Sequence, residues 1–157
     1  MKILLIQPPL RMFDGAAKPS VNLPVGLLMI AAVLEGKGHY VSVLDAQVNI
    51  QSPVYVYNDG RAYVGKKWDV IEAEIAQRRP DIVGISNMFT VQLESSLRVA
   101  EIAKRVNLKI LTVVGGNHAS VRPNDFFSKT NAVDLVVMGE GEYTMSEVVG
   151  HIELGQD

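Results

Sequence analysis

The sequence has no cysteine among its 157 residues. That excludes a disulfide, a thiolate nucleophile and a cysteine-ligated iron–sulfur cluster within the chain. Any redox chemistry it serves must come from a bound cofactor or from another polypeptide segment. Lysine and arginine form no cluster and the formal net charge is −2, which argues against a nucleic-acid surface. No apolar run approaches the roughly 20 residues of a membrane span, and the opening Met1 to Ile6 passes directly into polar and proline residues. The expectation is a soluble, cytoplasmic protein that begins without a leader. Gly-Lys-Ser and Gly-Lys-Thr are also missing, which removes the phosphate loop of nucleotide hydrolases. No histidine precedes His39, and there are no internal repeats, low-complexity tracts or linkers.

What is present is an apolar content of about half, typical of one globular α/β domain spanning residues 1–157. The organising stretch runs from Pro80 to Ser120. Ile82 to Ile85 is too short and too β-branched for a helix and reads as a buried strand. A polar turn, Ser86-Asn87-Met88-Phe89-Thr90, leads into helical spacing from Val91 to Val106. A second buried strand, Ile110 to Val114, runs into Gly115-Gly116, then Asn117, His118, Ala119 and Ser120. Strand, helix and strand at this spacing make one right-handed crossover, which sets both polar turns on one edge of a parallel sheet.

The flanks repeat the pattern. Lys2 to Ile6 is a first strand, ended by Gln7-Pro8-Pro9, and Leu10 to Asn22 reads as a long irregular loop on the carboxyl edge. Pro24 opens a helix whose buried face is Leu27, Leu28, Ile30, Ala31 and Leu34, closed by Gly36 and Gly38. His39 to Leu44 is a strand with Asp45 at its end. Val54–Tyr57 and Arg61–Val64 around Asn58-Asp59-Gly60 read as an inserted β-hairpin. Trp68 to Arg79 is an amphipathic helix burying Val70, Ile71 and Ile75. Beyond Ser120 come a short helix from Pro123 to Phe127, a last strand from Ala132 to Met138, the turn Gly139-Glu140-Gly141-Glu142 and a final helix from Tyr143 to Ile152. Five βα units imply a doubly wound, five-stranded parallel sheet of flavodoxin-like or Rossmann-like type, with strand order 2-1-3-4-5. Ligands of such sheets bind at the carboxyl edge, where the strand order reverses.

A dinucleotide fold needs glycines directly after the first strand, and here Gln7-Pro8-Pro9-Leu10 stands there. A phospho-receiver needs an aspartate where Ser86 stands, and a flavodoxin needs a hydroxyl-rich loop where the prolines stand. The polar elements instead end the third, fourth and fifth strands: Ser86-Asn87-Met88, Gly115-Gly116 and Gly139-Glu140-Gly141-Glu142.

At these residues the chain resembles cobalamin-binding domains, whose pattern is Ser-x-Leu followed, one helix and one strand later, by Gly-Gly. Here Ser86-Asn87-Met88 and Gly115-Gly116 match it, with Met for Leu. In one branch of that family a DxHxxG motif after the first strand supplies histidine to cobalt, and this chain lacks it. The chain is more similar to the N-terminal domain of cobalamin-dependent radical S-adenosylmethionine (radical SAM) enzymes. The likeness rests on Ile6-Gln7-Pro8-Pro9, Leu23 to Leu27, Gly38-His39, Leu44-Asp45-Ala46, Pro80 to Ser86, Gly115 to Ala119 and Gly139 to Glu142, and it runs from Met1 to about Val149.

The resemblance implies base-off cobalamin with its nucleotide tail in a slot beside Ser86 and Gly115-Gly116 and its corrin on the carboxyl edge. The lower face of cobalt would look onto the loop from Gln7 to Met12. The cofactor-binding residues so implied are Gln7, Pro8, Pro9, Leu10, Gly26, Ser86, Asn87, Met88, Thr90, Gly115, Gly116, His118, Ala119, Gly139, Glu140 and Gly141, with no catalytic residue and no protein ligand to the metal. It also implies a downstream radical SAM domain carrying CxxxCxxC, a [4Fe–4S] cluster and S-adenosylmethionine, so this chain alone would not be catalytic and the whole would be of the methyltransferase type. Two other readings stay open: a free-standing cobalamin carrier or sensor, and a flavin-binding oxidoreductase using the same crevice.

The individual residues also have plainer roles. Ser86 could cap the helix after it, and Gly115-Gly116 could be a tight turn. His118 is either a partner of the nucleotide tail or a turn histidine; Glu140 and Glu142 either serve the site or favour a helix N-terminus. Gly84 is expected in the core, Asp45 in an ordinary turn, and Tyr55, Tyr57 and Tyr63 against a neighbouring domain. A side chain at either glycine of the pair should fill the slot and leave the fold intact.

Overall fold

The structure, a computed structural model, describes residues 1–12, 23–48, 54–56 and 62–155. Its main sheet has five parallel strands: β1 (Lys2–Gln7), β3 (Tyr40–Asp45), β6 (Ile82–Ser86), β7 (Leu111–Gly115) and β8 (Leu135–Val137), in the order β3-β1-β6-β7-β8. That is the 2-1-3-4-5 order. Ile3 to Ile6 of β1 are all buried, because helices cover both faces of the sheet and the strand cannot alternate.

Residues of opposite parity in each strand enter two separate cores. Leu4, Ile6, Val83 and Val114 meet α2 (Trp68–Arg78) and α3 (Leu93–Val106) through Ile71, Ile75, Leu97 and Ala100. Ile3, Leu5, Ile82, Val113 and Val137 meet α1 (Val25–Gly36) and α6 (Gly141–Glu153) through Leu27, Ala31, Leu34, Met145 and Val149. The C-terminal end of α6 is held at the amino edge, where Glu153 Oε1 lies 3.3 Å from His39 Nδ1 and 3.5 Å from the Met1 amino group.

Several local expectations change. Leu10–Met12, expected as irregular loop, is a strand, β2, which pairs antiparallel with β5 (Ala62–Val64); β5 pairs in turn with β4 (Val54–Val56). The expected hairpin is thus part of a three-stranded sheet. A three-residue strand whose partner lies far along the chain has no periodicity of its own to detect. The hairpin turn, Tyr57 and residues 13–22 lie outside the described residues, as does the side chain of Tyr55. Tyr63 is buried within this chain, edge-on to Trp68 with ring centroids 5.1 Å apart, so it faces no other domain.

The helices shift too. Leu28 and Val70, expected to be buried, are exposed. Leu28 joins Val25, Met29 and Val33 on an outer face of α1 whose one charged residue is Glu35, near the helix end. The residues after Gly115-Gly116 form a helix of their own, α4 (Asn117–Val121), before the expected short helix α5 (Asn124–Phe127).

A glycine-floored slot on the carboxyl edge

The strand register builds the site. Ser86 pairs with Gly115 and Gly84 with Val113, while Leu5 lies opposite Gly84 on the other side. Because side chains alternate along a strand, Leu5, Gln7, Gly84, Ser86, Val113, Gly115 and Val137 all point to the α1/α6 side. The two central strands carry glycine or serine at three of these positions. The sheet surface is therefore hollow where its neighbours are filled by leucine and valine. Above the hollow, the starts of α1 and α6 wall a cavity of about 520 Å3, within the range of roughly 300–1,000 Å3 usual for small-molecule sites.

Of the residues implied by the resemblance, Gln7, Leu10, Gly26, Ser86, Met88, Gly115, Gly116, Gly139, Glu140 and Gly141 line this cavity. Pro8, Pro9, Asn87, Thr90, His118 and Ala119 do not. Pro8 and Pro9 are buried beside it, with the Pro8 carbonyl accepting from Gln47 Nε2 at 3.1 Å. Asn87 is fully buried, and its Nδ2 donates to Ser96 Oγ at 2.8 Å, towards α3. His118 is buried with its ring against Phe126 and its Nδ1 3.1 Å from Thr90 Oγ1. Thr90 itself is exposed, and Ala119 packs into the α2/α3 core.

The structure adds Leu5, Gly84, Gln47, Gln92 and Met145 to the lining, together with Leu23 and Pro24 just before α1 and Val25, Leu27 and Ile30 of that helix. Gly84, expected in the core, stands on the slot face. A Cβ there would lie 2.6 Å from Leu5 Cδ2, so the missing side chain makes room for Leu5 to lie over it. Gln92 orders one wall, its Oε1 accepting from the backbone N–H of Met88 at 3.0 Å and of Phe89 at 3.2 Å. Period two counted back from Ser86 and across from Gly115 would have found Gly84, Val113 and Leu5; the helix residues have no such signal.

The two glycines of the pair differ. At Gly115 a Cβ would approach nothing closer than Val137, at 3.7 Å, so it would take space from the cavity alone. At Gly116 φ is +115° and a Cβ would lie 2.5 Å from the Asn87 carbonyl oxygen. Gly116 is thus required by the backbone itself, which corrects the expectation that either glycine tolerates a side chain without harm to the fold.

Among the described residues, the charged lining residues are Glu140 and Glu142, at the start of α6, and no lysine, arginine or histidine lines the cavity. The remaining polar lining is neutral: Gln7, Gln47, Ser86, Gln92 and Asn117. All three histidines of the sequence lie elsewhere: His39 at the amino edge, His118 behind the slot wall and His151 exposed near the end of α6. Asp45 ends β3 beside the site and accepts from the Gln47 N–H at 2.9 Å. Burial pushes its carboxyl above the ordinary value, although that backbone contact opposes the rise. The arrangement is a pocket on the carboxyl edge, lined mainly by apolar side chains and glycines with a few neutral polar groups and two glutamates, the make-up usual for a small-molecule site.

Comparison with known proteins bears on what enters it. A family model described as the B12 binding domain matches residues 16–149. The chain is 32% identical over 153 residues to a cytidylyl-2-hydroxyethylphosphonate methyltransferase of Streptomyces wedmorensis, covering 96% of this chain and 28% of that protein. It is 33% identical over 70 residues to a cobalamin-dependent radical SAM methyltransferase of Streptomyces tokunonensis, covering 45% of this chain and 10% of that one. The chain thus spans well under a third of these curated relatives. Among solved structures, the methanol:cobalamin methyltransferase complex of Methanosarcina barkeri superposes with a TM-score of 0.63 at 15% identity, over 99% of this chain and 47% of that one.

Proposed function

This chain belongs to the B12-binding domain family, and from that premise we propose that it binds cobalamin base-off, with the cofactor's nucleotide tail in the slot and no histidine of its own on cobalt. The observation that carries this reading is the hollow at Gly115, where the only thing a side chain would displace is an occupant. Gly84 and Ser86 extend the hollow along β6, and the Ser86 hydroxyl and Gln47 amide supply hydrogen-bonding groups at its border. The position of all three histidines outside the slot supports a cobalt without protein imidazole.

Bound cobalamin would supply a cobalt–carbon bond able to carry a methyl group, while the protein fixes its position and surroundings. The work of this chain is to grip the tail and present the corrin on the carboxyl edge. We further propose that a radical SAM domain, with a [4Fe–4S] cluster and S-adenosylmethionine, completes the enzyme, and that the whole transfers methyl groups. The relatives' greater length supports this, as does the outer face of α1, where the exposed residues are apolar apart from Glu35 near the helix end. A helix apolar all round is normally covered, and Val25, which lines the slot mouth, continues directly into Met29 and Val33.

The test is to add hydroxocobalamin to the purified chain, desalt, and record the visible spectrum. A retained corrinoid with a base-off spectrum is expected. A retained flavin in its place would establish the oxidoreductase reading instead, and failure to retain any corrinoid at micromolar protein would sink the proposal.

A further inference from the structure

The three turns that wall the slot come from three different strands, and one helix too short to have been expected touches them all. After Gly116, α4 runs for only five residues. Its His118 reaches the β6 turn twice: the backbone N–H donates to the Asn87 carbonyl at 3.2 Å, and Nδ1 lies 3.1 Å from Thr90 Oγ1. Its Ser120 reaches the β8 turn, since Ser120 Oγ accepts from the Gly139 N–H at 3.0 Å and donates to the Gly116 carbonyl at 3.0 Å. The Asn87 N–H donates to the Gly115 carbonyl at 2.7 Å, closing the circuit.

Neither side chain lines the cavity. His118 is instead held from behind, on Phe126, with Nε2 3.5 Å from Asp125 Oδ2. Asp125 is itself fixed by Arg122 Nε at 2.8 Å. A ring so placed cannot touch an occupant of the slot, yet it fixes the spacing between the Ser86 turn and the Gly115-Gly116 floor. Ser120 does the same between that floor and the Gly139–Gly141 turn.

We propose that His118 and Ser120 are positioning residues that brace the three slot turns from outside and so set cobalamin affinity without contacting the cofactor. This rests on the slot being the cobalamin site. A preformed site avoids the ordering cost that a loose one incurs on binding, and a supporting shell left loose lowers affinity even when every contact residue is present.

The experiment compares the wild type with His118→Ala, Ser120→Ala, their double variant and the conservative Ser120→Thr. Three readings are taken on each: melting temperature, hydroxocobalamin affinity well below that temperature, and amide hydrogen exchange in residues 86–90 and 139–141. The double variant is expected to weaken affinity by about tenfold or more, equivalent to roughly 1.4 kcal/mol, with faster exchange in both turns. Ser120→Thr is expected to stay near wild type. A merely structural role would lower the melting temperature and leave affinity alone, which overturns the inference, as does unchanged exchange in the two turns. Should the double variant fail to fold, the single variants are read by the same criteria, each for the turn it touches. If the wild type itself retains no corrinoid, the slot reading has failed, and the exchange data still decide whether α4 braces the turns.

Discussion

Replacing Gly115 by leucine separates the slot from the fold more cleanly than any other single change. The backbone at Gly115 is not among those with positive φ, and a Cβ there meets only Val137, at 3.7 Å. The isolated chain should therefore lose no more than about 1 kcal/mol, a shift of roughly 2–4 °C in melting temperature for a protein of this size. The rest of the leucine side chain must enter the cavity, where four added carbons leave a flat heterocycle no room beside Ser86. Forcing extra methylenes into a filled space costs typically 1–3 kcal/mol. At about 1.4 kcal/mol per tenfold change, even an occupant that squeezed in would bind roughly 5- to 150-fold more weakly. Gly115→Ala, which adds one methyl, should lose only a few-fold. Titrating hydroxocobalamin by visible absorbance, with circular dichroism as the check on folding, measures both quantities. A folded Gly115→Leu chain with wild-type affinity would refute the reasoning, because the hollow would then hold nothing.

Two further outcomes follow from the geometry. Gly116→Ala puts a Cβ 2.5 Å from the Asn87 carbonyl oxygen at a φ of +115°, a strain of about 1–3 kcal/mol, so its melting temperature should fall with or without cobalamin; an unchanged melting curve would contradict the turn geometry. Asp134 should carry part of the acid limb of stability: burial alone would raise its pKa, but Lys104, the Thr112 N–H and the Thr112 hydroxyl together bring it below the ordinary value. A carboxyl lowered in the folded state stabilises fully above its unfolded pKa, near 3.9, and loses that contribution as pH falls through the lower folded value. Asp134→Asn should flatten this acid dependence, and an unchanged pH profile of denaturation would count against the assignment.

Much of the architecture was legible because five short strand-like runs separated by helical spacing admit few topologies. The site was legible in part. Ser86 and Gly115 could be paired from motif spacing, and they do lie side by side across β6 and β7. Strands buried on both faces do not alternate in polarity, so Leu5, Gly84 and Val113 were legible as slot residues only by counting period two from Ser86 and Gly115. The contribution of α1 itself depends on how the crossover folds back over the sheet, which is a tertiary fact. His118 drew attention as a rare residue beside Gly-Gly, and its place behind the wall follows from α4, five residues whose helical turn had no periodic pattern to announce it.

The central claim concerns the metal's lower face, and electron paramagnetic resonance of the protein-bound cob(II)alamin reads it directly. Cobalt hyperfine lines without superhyperfine splitting from an axial nitrogen are expected, because the proposal puts the nucleotide base in the slot, and His39, His118 and His151 lie outside that slot. A triplet splitting on those lines, the mark of one coordinated nitrogen, would contradict the account.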